Sequence, residues 1–458
     1  MINLKKKKLV ILDHNFKDYQ GHHFNYNKYL QDTLKDKYDL EFYFKKNISK
    51  KILKRFESKV FKFFEQDEII TRYASKNLLF KIKKVLKKIH IIKKLYYFLI
   101  QKMGITMFIL LKKVYKKSKF IEKITEVDSK YQQTDFFIHS LSTDEFFDFI
   151  NSESLFKKNQ NNYWIVYRRD PRELKNYINY IAVIFKNKRL NLLTDSHRIK
   201  NFLNNKGVSV KHIDIPIFFE SKKKFNKNKN KNKNKNKNKN KIIVTYLGDA
   251  RKEKGFFKLP EIIKNTNEKF YFNIQAFSNG YDKSDYNQTI KELKNNNNLK
   301  LIFGQLNESE YSNLLFNSDI ILIPYLEDDY KYRTSSIFFE AIMSNKISIV
   351  TKGTWMAKFY ENNKFLEFLI LTPENSLNKI LDYVFFNKKK IIHEIDNLKK
   401  TIQLRKSQKK FINVFNLNLV KKNNLRKLSF NYLIDENTIN RKNDGNQYAS
   451  SFFLKNIL

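Results

Sequence analysis

The chain has 458 residues and 41% of them are hydrophobic, a length that fits two domains, each with a core to bury. It contains no cysteine, which excludes disulfides, thiol catalysis, cysteine-ligated zinc and iron–sulfur clusters and fits a reducing cytoplasm. The formal net charge of +44 indicates a polyanionic partner (nucleic acid or an anionic membrane) or, alternatively, the lysine- and asparagine-rich coding of an AT-rich genome. We favour the coding bias, because arginine, which binds phosphates and bases in a bidentate manner, is scarce among the cations.

The first half of the chain alternates strand and helix patterns, which predicts a parallel sheet with helices on both faces. The apolar run Leu9–Leu12 is too short for a signal-peptide core and predicts a buried first strand. Ser142 and Glu145 have the spacing of a helix-capping box, and Ser196 is expected to cap another helix. The other predicted elements are a helix at His22–Leu34 and strands at Leu40–Phe44, Phe136–His139, Ile165–Tyr167 and Leu192–Thr194.

An interruption from about Asn47 to Asp128, rich in lysine, phenylalanine, isoleucine and leucine, separates these strands. Within it, Leu78–Lys94 alternates basic and apolar residues at helical spacing, as in an amphipathic helix that lies on an anionic membrane. A helical insertion packed on the first domain explains the same pattern, and we favour membrane contact. The most apolar stretch, Leu95–Leu111, is broken by polar and charged residues, so we predict no membrane-spanning helix.

The run Asn226–Lys241 alternates lysine and asparagine and has no apolar side chain to bury, so we predict a disordered linker over residues 221–241. A nucleic-acid-binding arm is the alternative. On this basis residues 1–220 form a first domain, residues 242–400 a second, and residues 401–458 a helical C-terminal extension.

The second half also alternates strands and helices, so both domains are expected to be doubly wound α/β domains that bind ligands at the carboxyl ends of their strands. Asn307 is expected to be a helix N-cap, and Asn345 suits the left-handed residue that ends a helix. The predicted strands are Ile242–Leu247, Phe270–Phe277, Leu299–Phe303, Asp319–Pro324, Ile347–Val350 and Phe365–Leu371, and the predicted helices are Phe256–Asn265, Glu308–Phe316, Ser336–Ser344 and Leu377–Phe386.

Two motifs in this half carry anion-binding chemistry. A loop bounded by Gly248 and Gly255 contains Arg251 and Lys254, and such a loop lets backbone and cations approach a diphosphate. It lacks the pattern of a nucleotide-binding P-loop, and in a chain this rich in lysine an ordinary surface turn is the alternative.

The second motif follows the strand that ends at Pro324. Ser335 and Ser336 stand where a helix begins, so its free N–H groups face an anion. Arg333 can pair with phosphate, and Glu340, one turn into the helix, can accept hydrogen bonds from a ribose. A capped core helix with a solvated glutamate is the alternative.

These motifs resemble those of family 4 glycosyltransferases (group 1 glycosyl transferases). The resemblance is strongest over residues 242–356 and does not extend to the interruption, the lysine–asparagine run or the C-terminal tail. It rests on the segments Tyr246–Phe256, Ile302–Leu306, Asp319–Tyr325, Arg333–Ala341 and Lys346–Met356, and more thinly on Asp13–Asn15, Gly21–Phe24, Tyr167–Pro171 and Leu193–Ser196.

The resemblance implies a GT-B fold, in which two doubly wound Rossmann-like domains face a cleft, with a helical insertion in the first domain. It implies a retaining, metal-independent transfer of a sugar from a nucleotide-diphosphate donor to a saccharide or lipid-linked acceptor, in cell-surface polysaccharide or glycolipid biosynthesis. The nucleotide-sugar is a co-substrate, so we expect no cofactor, no metal and no specific nucleic-acid partner. We expect a cytoplasmic protein, peripheral on the anionic inner face of the membrane.

The resemblance also assigns residues to roles. Lys254 and Arg251 hold the diphosphate, Asp249 standing where the family has its arginine, and Tyr332 occupies the position of the family's first sugar-binding glutamate. His22 lies at the reacting centre, although packing at a helix start explains it equally well. The donor-binding residues are Gly248, Gly304, Arg333, Ser335, Ser336 and Glu340, and the acceptor or cleft residues are Gly21, His23 and Arg168.

Two other functions fit parts of the sequence. The lysine–asparagine run and the basic helices suit a protein that binds polyanions or membranes. The absence of the family's first glutamate suits a catalytically degenerate GT-B scaffold.

Overall fold

Two parallel β-sheets organise the chain, which the computed structural model describes over residues 6–18, 23–65, 119–152, 160–213, 241–278 and 283–405. The first sheet has seven strands and the second has six. The strands of the first are β1 Lys7–Leu12, β2 Tyr38–Lys45, β3 Lys59–Phe64, β4 Asp135–Ile138, β5 Asn162–Val166, β6 Leu190–Thr194 and β7 Val210–His212. Those of the second are β8 Ile242–Tyr246, β9 Phe270–Gln275, β10 Leu299–Ile302, β11 Ile320–Ile323, β12 Ile347–Thr351 and β13 Ile370–Leu371.

Helices alternate with these strands in both halves. They are α1 His23–Leu34, α2 Lys50–Leu53, α3 Lys119–Asp128, α4 Thr143–Ile150, α5 Ile178–Ile184, α6 His197–Asn204, α7 Leu259–Ile262, α8 Lys283–Lys294, α9 Glu308–Asn317, α10 Glu327–Tyr330, α11 Ser336–Met343 and α12 Leu377–Arg405. The central strands are almost fully buried, as expected for a parallel sheet that is covered by helices on both faces. None of the described helices has the length and apolar character needed to cross a membrane.

The order of strands in space is that of a doubly wound fold. In the first sheet the order is β3-β2-β1-β4-β5-β6-β7, and in the second it is β10-β9-β8-β11-β12-β13. In the first sheet, strands β2 and β3 lie on one side of β1, and the later strands lie on the other side, beginning with β4. The second sheet has the same change of side between β8 and β11. Ligands of such sheets bind outside the carboxyl ends of the strands at these switch points, so the loops that follow β1, β4, β8 and β11 position the candidate site.

The predicted helix caps form as expected. Ser142 and Glu145 make a reciprocal capping box at α4, and the Ser196 hydroxyl accepts a hydrogen bond from the Ile199 N–H at α6. Asn307 caps α9, and Asn345, just beyond α11, has a left-handed φ of 53°. These local signals therefore place the beginnings of α4, α6 and α9 and the end of α11, the helix that carries Ser336 and Glu340.

Four elements differ from their predictions. The predicted helix at Phe256–Asn265 is a 3-10 turn at Phe256–Lys258 followed by the four residues of α7. The described start of the interruption contains the short helix α2 but also β3, a run of lysine, valine and phenylalanine that extends the sheet as an edge strand beside β2. The predicted strand at Phe365–Leu371 is mostly a 3-10 turn at Glu367–Leu369, followed by the two residues of β13. Helix α12 continues to Arg405 rather than ending at Phe386, because neither glycine nor proline interrupts it. The segment Leu78–Lys94 and most of the lysine–asparagine run lie outside the described residues.

Candidate functional site

The loop that follows β8 approaches the loop that follows β11. Gly255 has a left-handed φ of 72°, and a Cβ placed on it would lie 1.9 Å from the carbonyl oxygen of Pro324. The Leu326 N–H donates to the Glu253 carbonyl at 3.0 Å, which joins the two loops. Only glycine fits at position 255, because both the φ angle and the close backbone contact exclude a side chain.

Lys254 reaches back over the first glycine of the same loop. A Cβ placed on Gly248 would lie 3.1 Å from the Lys254 Nζ and 3.4 Å from the Ile337 Cδ1. Gly248 has a φ of 127°, and its N–H donates to the Gln275 Oε1 at 2.8 Å. The backbone of Gly248, which has no side chain, therefore meets the Lys254 amine and the first turn of α11 at one point.

The start of α11 carries the two predicted serines. The Ser335 hydroxyl accepts a hydrogen bond from the Phe338 N–H at 3.4 Å and caps the helix, while Ser336 is half-buried in its first turn. Because the cap uses one N–H of this end, the remaining first-turn N–H groups and the positive end of the helix dipole are available to an anion.

Burial controls the charge of Lys254. Its side chain is 12% exposed, and its Nζ lies 3.8 Å from the Asp249 Oδ2. Burial lowers the pKa of Lys254 to about 8, Asp249 opposes that change, and the nearby Arg251 and Arg333 add to it. A dianionic ligand beside this amine would favour its charged form.

Arg251 is held by carboxylates of its own loop. Its Nη1 lies 3.0 Å from the Glu253 Oε1, and its Nε lies 3.4 Å from the Asp249 Oδ2. These ion pairs fix the side chain beside the loop that carries Lys254. Arg251 therefore adds positive charge to the site, and the two carboxylates of its own loop neutralise part of that charge.

Further cations line the cleft from both sides. The Arg333 guanidinium stacks on the ring of Tyr330, with its Cζ 4.6 Å from the ring centroid. Arg169, which follows β5, donates from its Nε to the Leu141 carbonyl at 3.2 Å. Burial lowers the pKa of Arg169, and the charges of Arg333 and Arg168 add to this effect. An anion bound between these guanidinium groups would reduce the repulsion between their positive charges.

Glu340 is held by a residue that the sequence analysis missed. The Tyr311 hydroxyl, on α9, donates a hydrogen bond to the Glu340 Oε2. Burial raises the pKa of the Glu340 carboxyl, and this hydrogen bond opposes that change. The pairing fixes one carboxylate oxygen, so the carboxylate is oriented before any ligand arrives.

Gly304 follows β10 at the carboxyl edge of the second sheet. It has a φ of 82°, and nothing lies within 4 Å of the position where its Cβ would stand. The structure therefore places Gly304 on an open surface in line with the loops that carry Gly248 and Lys254.

The switch point of the first sheet holds a buried polar cluster. Asp13, directly after β1, accepts hydrogen bonds from the His23 Nδ1 at 2.9 Å and from the Asn27 Nδ2 at 2.7 Å. The His139 Nε2 lies 3.4 Å from the same carboxylate. Burial opposes ionisation of Asp13, but the two histidines and the hydrogen bonds lower its pKa. The ionised carboxylate therefore fixes the His23 ring at the edge of the cleft. Gly21 and His22 lie outside the described residues.

Arg168 connects the two halves of the molecule. Its Nε lies 2.6 Å from the Asp195 Oδ2, after β6, and its Nη2 donates to the Thr334 Oγ1 at 3.5 Å. Thr334 in turn donates to the Asp195 Oδ2 at 3.3 Å. Thr334 lies between Arg333 and Ser335, so this contact brings the first half of the chain to the segment of the second that was predicted to bind an anion.

Tyr332, at the position of the family's first glutamate, contacts the first half of the chain. Its ring packs against the core of the first half of the chain, 5.7 Å from the ring of Phe202. Tyr332 was noted in the sequence only as a departure from the family's glutamate, and no local pattern could have indicated its contact with a distant helix. Among the described residues, no group of three or more histidine, aspartate or glutamate side chains is arranged to hold a metal ion.

No protein-family model and no curated protein matches the sequence. Among solved structures, the chain is similar to Anabaena HepE in complex with UDP and glucose, with 10% identity and a TM-score of 0.60 over 91% of this chain and 100% of that one. A glycosyltransferase from Rickettsia africae has 14% identity and a TM-score of 0.55, with 91% and 99% of the two chains covered. Sucrose-phosphate synthase from Thermosynechococcus elongatus has 11% identity and a TM-score of 0.56, with 93% and 100% covered. These likenesses, together with the two doubly wound sheets, confirm the predicted GT-B fold.

Proposed function

We propose that the protein is a glycosyltransferase that moves a sugar from a nucleotide-diphosphate donor to a saccharide or lipid-linked acceptor. The observation that carries the proposal is the meeting of Gly248, Lys254 and the first turn of α11 at the switch point of the second sheet. A bare backbone, a buried amine and a helix N-terminus together suit a diphosphate. The complexes of HepE with UDP and glucose and with UDP-glucose have the same fold and support a nucleotide-sugar as the donor.

In this arrangement each part of the donor has a neighbour. The diphosphate lies against Lys254, Arg333 and the N–H groups that follow Ser335, with Arg251 adding charge from one side. Glu340, oriented by Tyr311, accepts hydrogen bonds from the ribose. Gly304 leaves room for the base at the carboxyl end of β10. The sugar then points across the cleft towards Asp13 and His23.

The reaction breaks the bond between the anomeric carbon and the diphosphate, and negative charge develops on the leaving oxygen. Lys254, whose side chain is 12% exposed, and Arg333 would stabilise that charge, and such interactions are strongest where water is excluded. The acceptor hydroxyl attacks the anomeric carbon from the same side and gives its proton to the departing diphosphate. A reaction of this kind retains the configuration of the anomeric carbon and requires neither a metal nor a side-chain base. We propose this mechanism for the chain.

The acceptor is proposed to bind at the first sheet, between His23 and Arg168. The Asp13 carboxylate holds the His23 ring, and Asp195 holds the Arg168 guanidinium, so both side chains are fixed before an acceptor binds. The large positive charge of the chain supports contact with an anionic membrane. We therefore propose a cytoplasmic protein at the inner face of the membrane, active in polysaccharide or glycolipid synthesis.

Transfer assays test this function. Purified protein is incubated with UDP-, GDP- and ADP-sugars and a panel of saccharide and lipid-linked acceptors, and release of the nucleoside diphosphate is followed. We expect release from one class of donor, stimulated by an acceptor and abolished in Lys254→Met. Turnover that is unchanged in Lys254→Met would contradict the assignment of the diphosphate site.

A catalytically degenerate GT-B scaffold is a second candidate. The observation that favours it is the orientation of Tyr332, which packs on the first half of the chain and offers no carboxylate to the donor sugar. A scaffold of this kind binds the nucleoside diphosphate but gives neither transfer nor hydrolysis. Donor binding without turnover on any acceptor would therefore select this candidate.

A further inference from the structure

The segment Glu327–Thr334, which leads from β11 to the cap of α11, is held by side chains from the other half of the chain. We call the half that contains β1–β7 the first lobe and the half that contains β8–β13 the second lobe. The segment belongs to the second lobe and ends in the proposed phosphate contacts Arg333 and Ser335. Its own secondary structure is a single helical turn, α10, so contacts outside the segment must fix the rest of it.

Two arginines of the first lobe donate to backbone carbonyls of the second. The Arg198 Nη1, on α6, donates to the Lys331 carbonyl at 2.8 Å and to the Gly353 carbonyl at 2.6 Å. The Arg172 Nη2 donates to the Asp328 carbonyl, while its guanidinium is held by Asp170. Carbonyl acceptors on a short loop are satisfied here by charged donors, which form stronger hydrogen bonds than neutral ones.

An aromatic contact accompanies these hydrogen bonds. The Tyr332 ring packs edge-on against Phe202, and the Arg172 guanidinium lies over it, with its Cζ 5.6 Å from the ring centroid. The Tyr332 ring therefore packs on the first lobe, whereas the neighbouring Arg333 guanidinium stacks on Tyr330 at the cleft. One side chain anchors the segment, and the next is presented to the ligand.

We infer that Arg172, Arg198 and Tyr332 are positioning residues: they seat the segment Glu327–Thr334 on the first lobe and so assemble the donor site only when the lobes are together. This inference rests on the proposed function. Without the seat, the lobes separate and the segment loses its contacts, so that only a fraction of molecules can bind the donor. The apparent dissociation constant then rises in inverse proportion to that fraction, while turnover at saturating donor is unchanged.

The variant Arg198→Gln tests the inference, with Lys200→Gln as a control that removes one positive charge from the same helix. We expect Arg198→Gln to raise the KM for the donor at least roughly tenfold, the order expected for the loss of even one hydrogen bond from a charged group, with kcat within about twofold of wild type. In small-angle X-ray scattering without ligand, the variant has a larger radius of gyration than wild type, and saturating UDP, GDP or ADP restores the compact value. Lys200→Gln matches wild type in both measurements.

Two results would overturn the inference. One is an Arg198→Gln variant with unchanged donor KM and radius of gyration. The other is a lower kcat and a lower melting temperature without ligand-dependent compaction, which indicates a merely structural arginine. If wild type binds none of the nucleoside diphosphates, the proposed function is contradicted. The contact between the lobes is then tested by scattering without ligand. A radius of gyration that is unchanged in both Arg198→Gln and Tyr332→Ser would overturn the inference.

Discussion

The Cα of Gly255 lies so close to the carbonyl of Pro324 that a methyl group at position 255 would stand 1.9 Å from the carbonyl oxygen. This contact joins the end of β11 to the loop that carries Lys254. The geometry of the proposed diphosphate site therefore depends on the absence of a side chain at Gly255 as much as on the charged side chains of the site.

Gly255→Ala should destabilise the protein by about 3 kcal/mol, from a strained φ and an overpacked backbone contact together. Gly207→Ala is the control, because Gly207 has a similar φ of 80° but nothing within 4 Å of its Cβ position. That control should lose only about 1 kcal/mol, from the φ angle alone. Urea denaturation of both variants measures the difference, and equal losses would show that the Pro324 contact does not constrain position 255.

Binding of a nucleoside diphosphate should weaken as pH rises through the pKa of Lys254, about 8. Above that pH the free protein has a neutral amine, whereas the bound diphosphate favours the ammonium form, so binding must take up a proton. The dissociation constant should therefore rise by up to about tenfold per pH unit above 8. Calorimetry from pH 7 to pH 9.5 measures this slope. Lys254→Met should bind weakly at every pH, and a slope that persists in this variant would assign the titration to another group.

The pairing of Tyr311 with Glu340 should contribute to recognition of the ribose. Glu340→Gln weakens the acceptor for the ribose hydroxyls, and Tyr311→Phe leaves the carboxylate without its orienting donor. We expect each to reduce affinity for a nucleoside diphosphate about tenfold and to leave affinity for inorganic diphosphate unchanged. The two ligands are compared by competition. Equal losses for both would place Glu340 at the phosphates instead.

Tyr332→Glu should not create a better enzyme, although it restores the carboxylate expected from the family resemblance. Because the ring at this position packs on Phe202 and the core of the first lobe, a glutamate would lose the aromatic contact that holds the segment. We expect lower donor affinity and a lower melting temperature, with Tyr332→Phe close to wild type. An increase in transfer by Tyr332→Glu would show that position 332 faces the donor sugar.

Local patterns in the sequence predicted much of the fold. The buried strands, the capping box of Ser142 with Glu145 and the left-handed Asn345 are set by residues close to one another in the chain. The motif Gly248–Gly255 was also visible, because glycine and cation spacing is local. Strand β3 was not predicted, since its two lysines are three residues apart, a spacing that also fits an amphipathic helix.

The contacts that organise the candidate site could not be predicted from the sequence. Tyr311 and Glu340 are 29 residues apart, and Arg198 and Gly353 are 155 apart. Such partners are brought together by the order of strands in the sheets and by the approach of the two lobes, and neither leaves a periodic signal. The orientation of Tyr332 belongs to the same class, because it depends on Phe202 in the other lobe.

Calorimetric titration of Lys254→Met with the preferred nucleoside diphosphate tests the central claim most directly, with Lys252→Met as the control from the same turn. Lys252 is exposed, so its loss removes an equal charge from the surface of the loop. We predict that wild type and Lys252→Met bind with similar affinity and that Lys254→Met binds at least about tenfold more weakly. Equal affinity in Lys254→Met and Lys252→Met would contradict the claim that this buried amine holds the diphosphate.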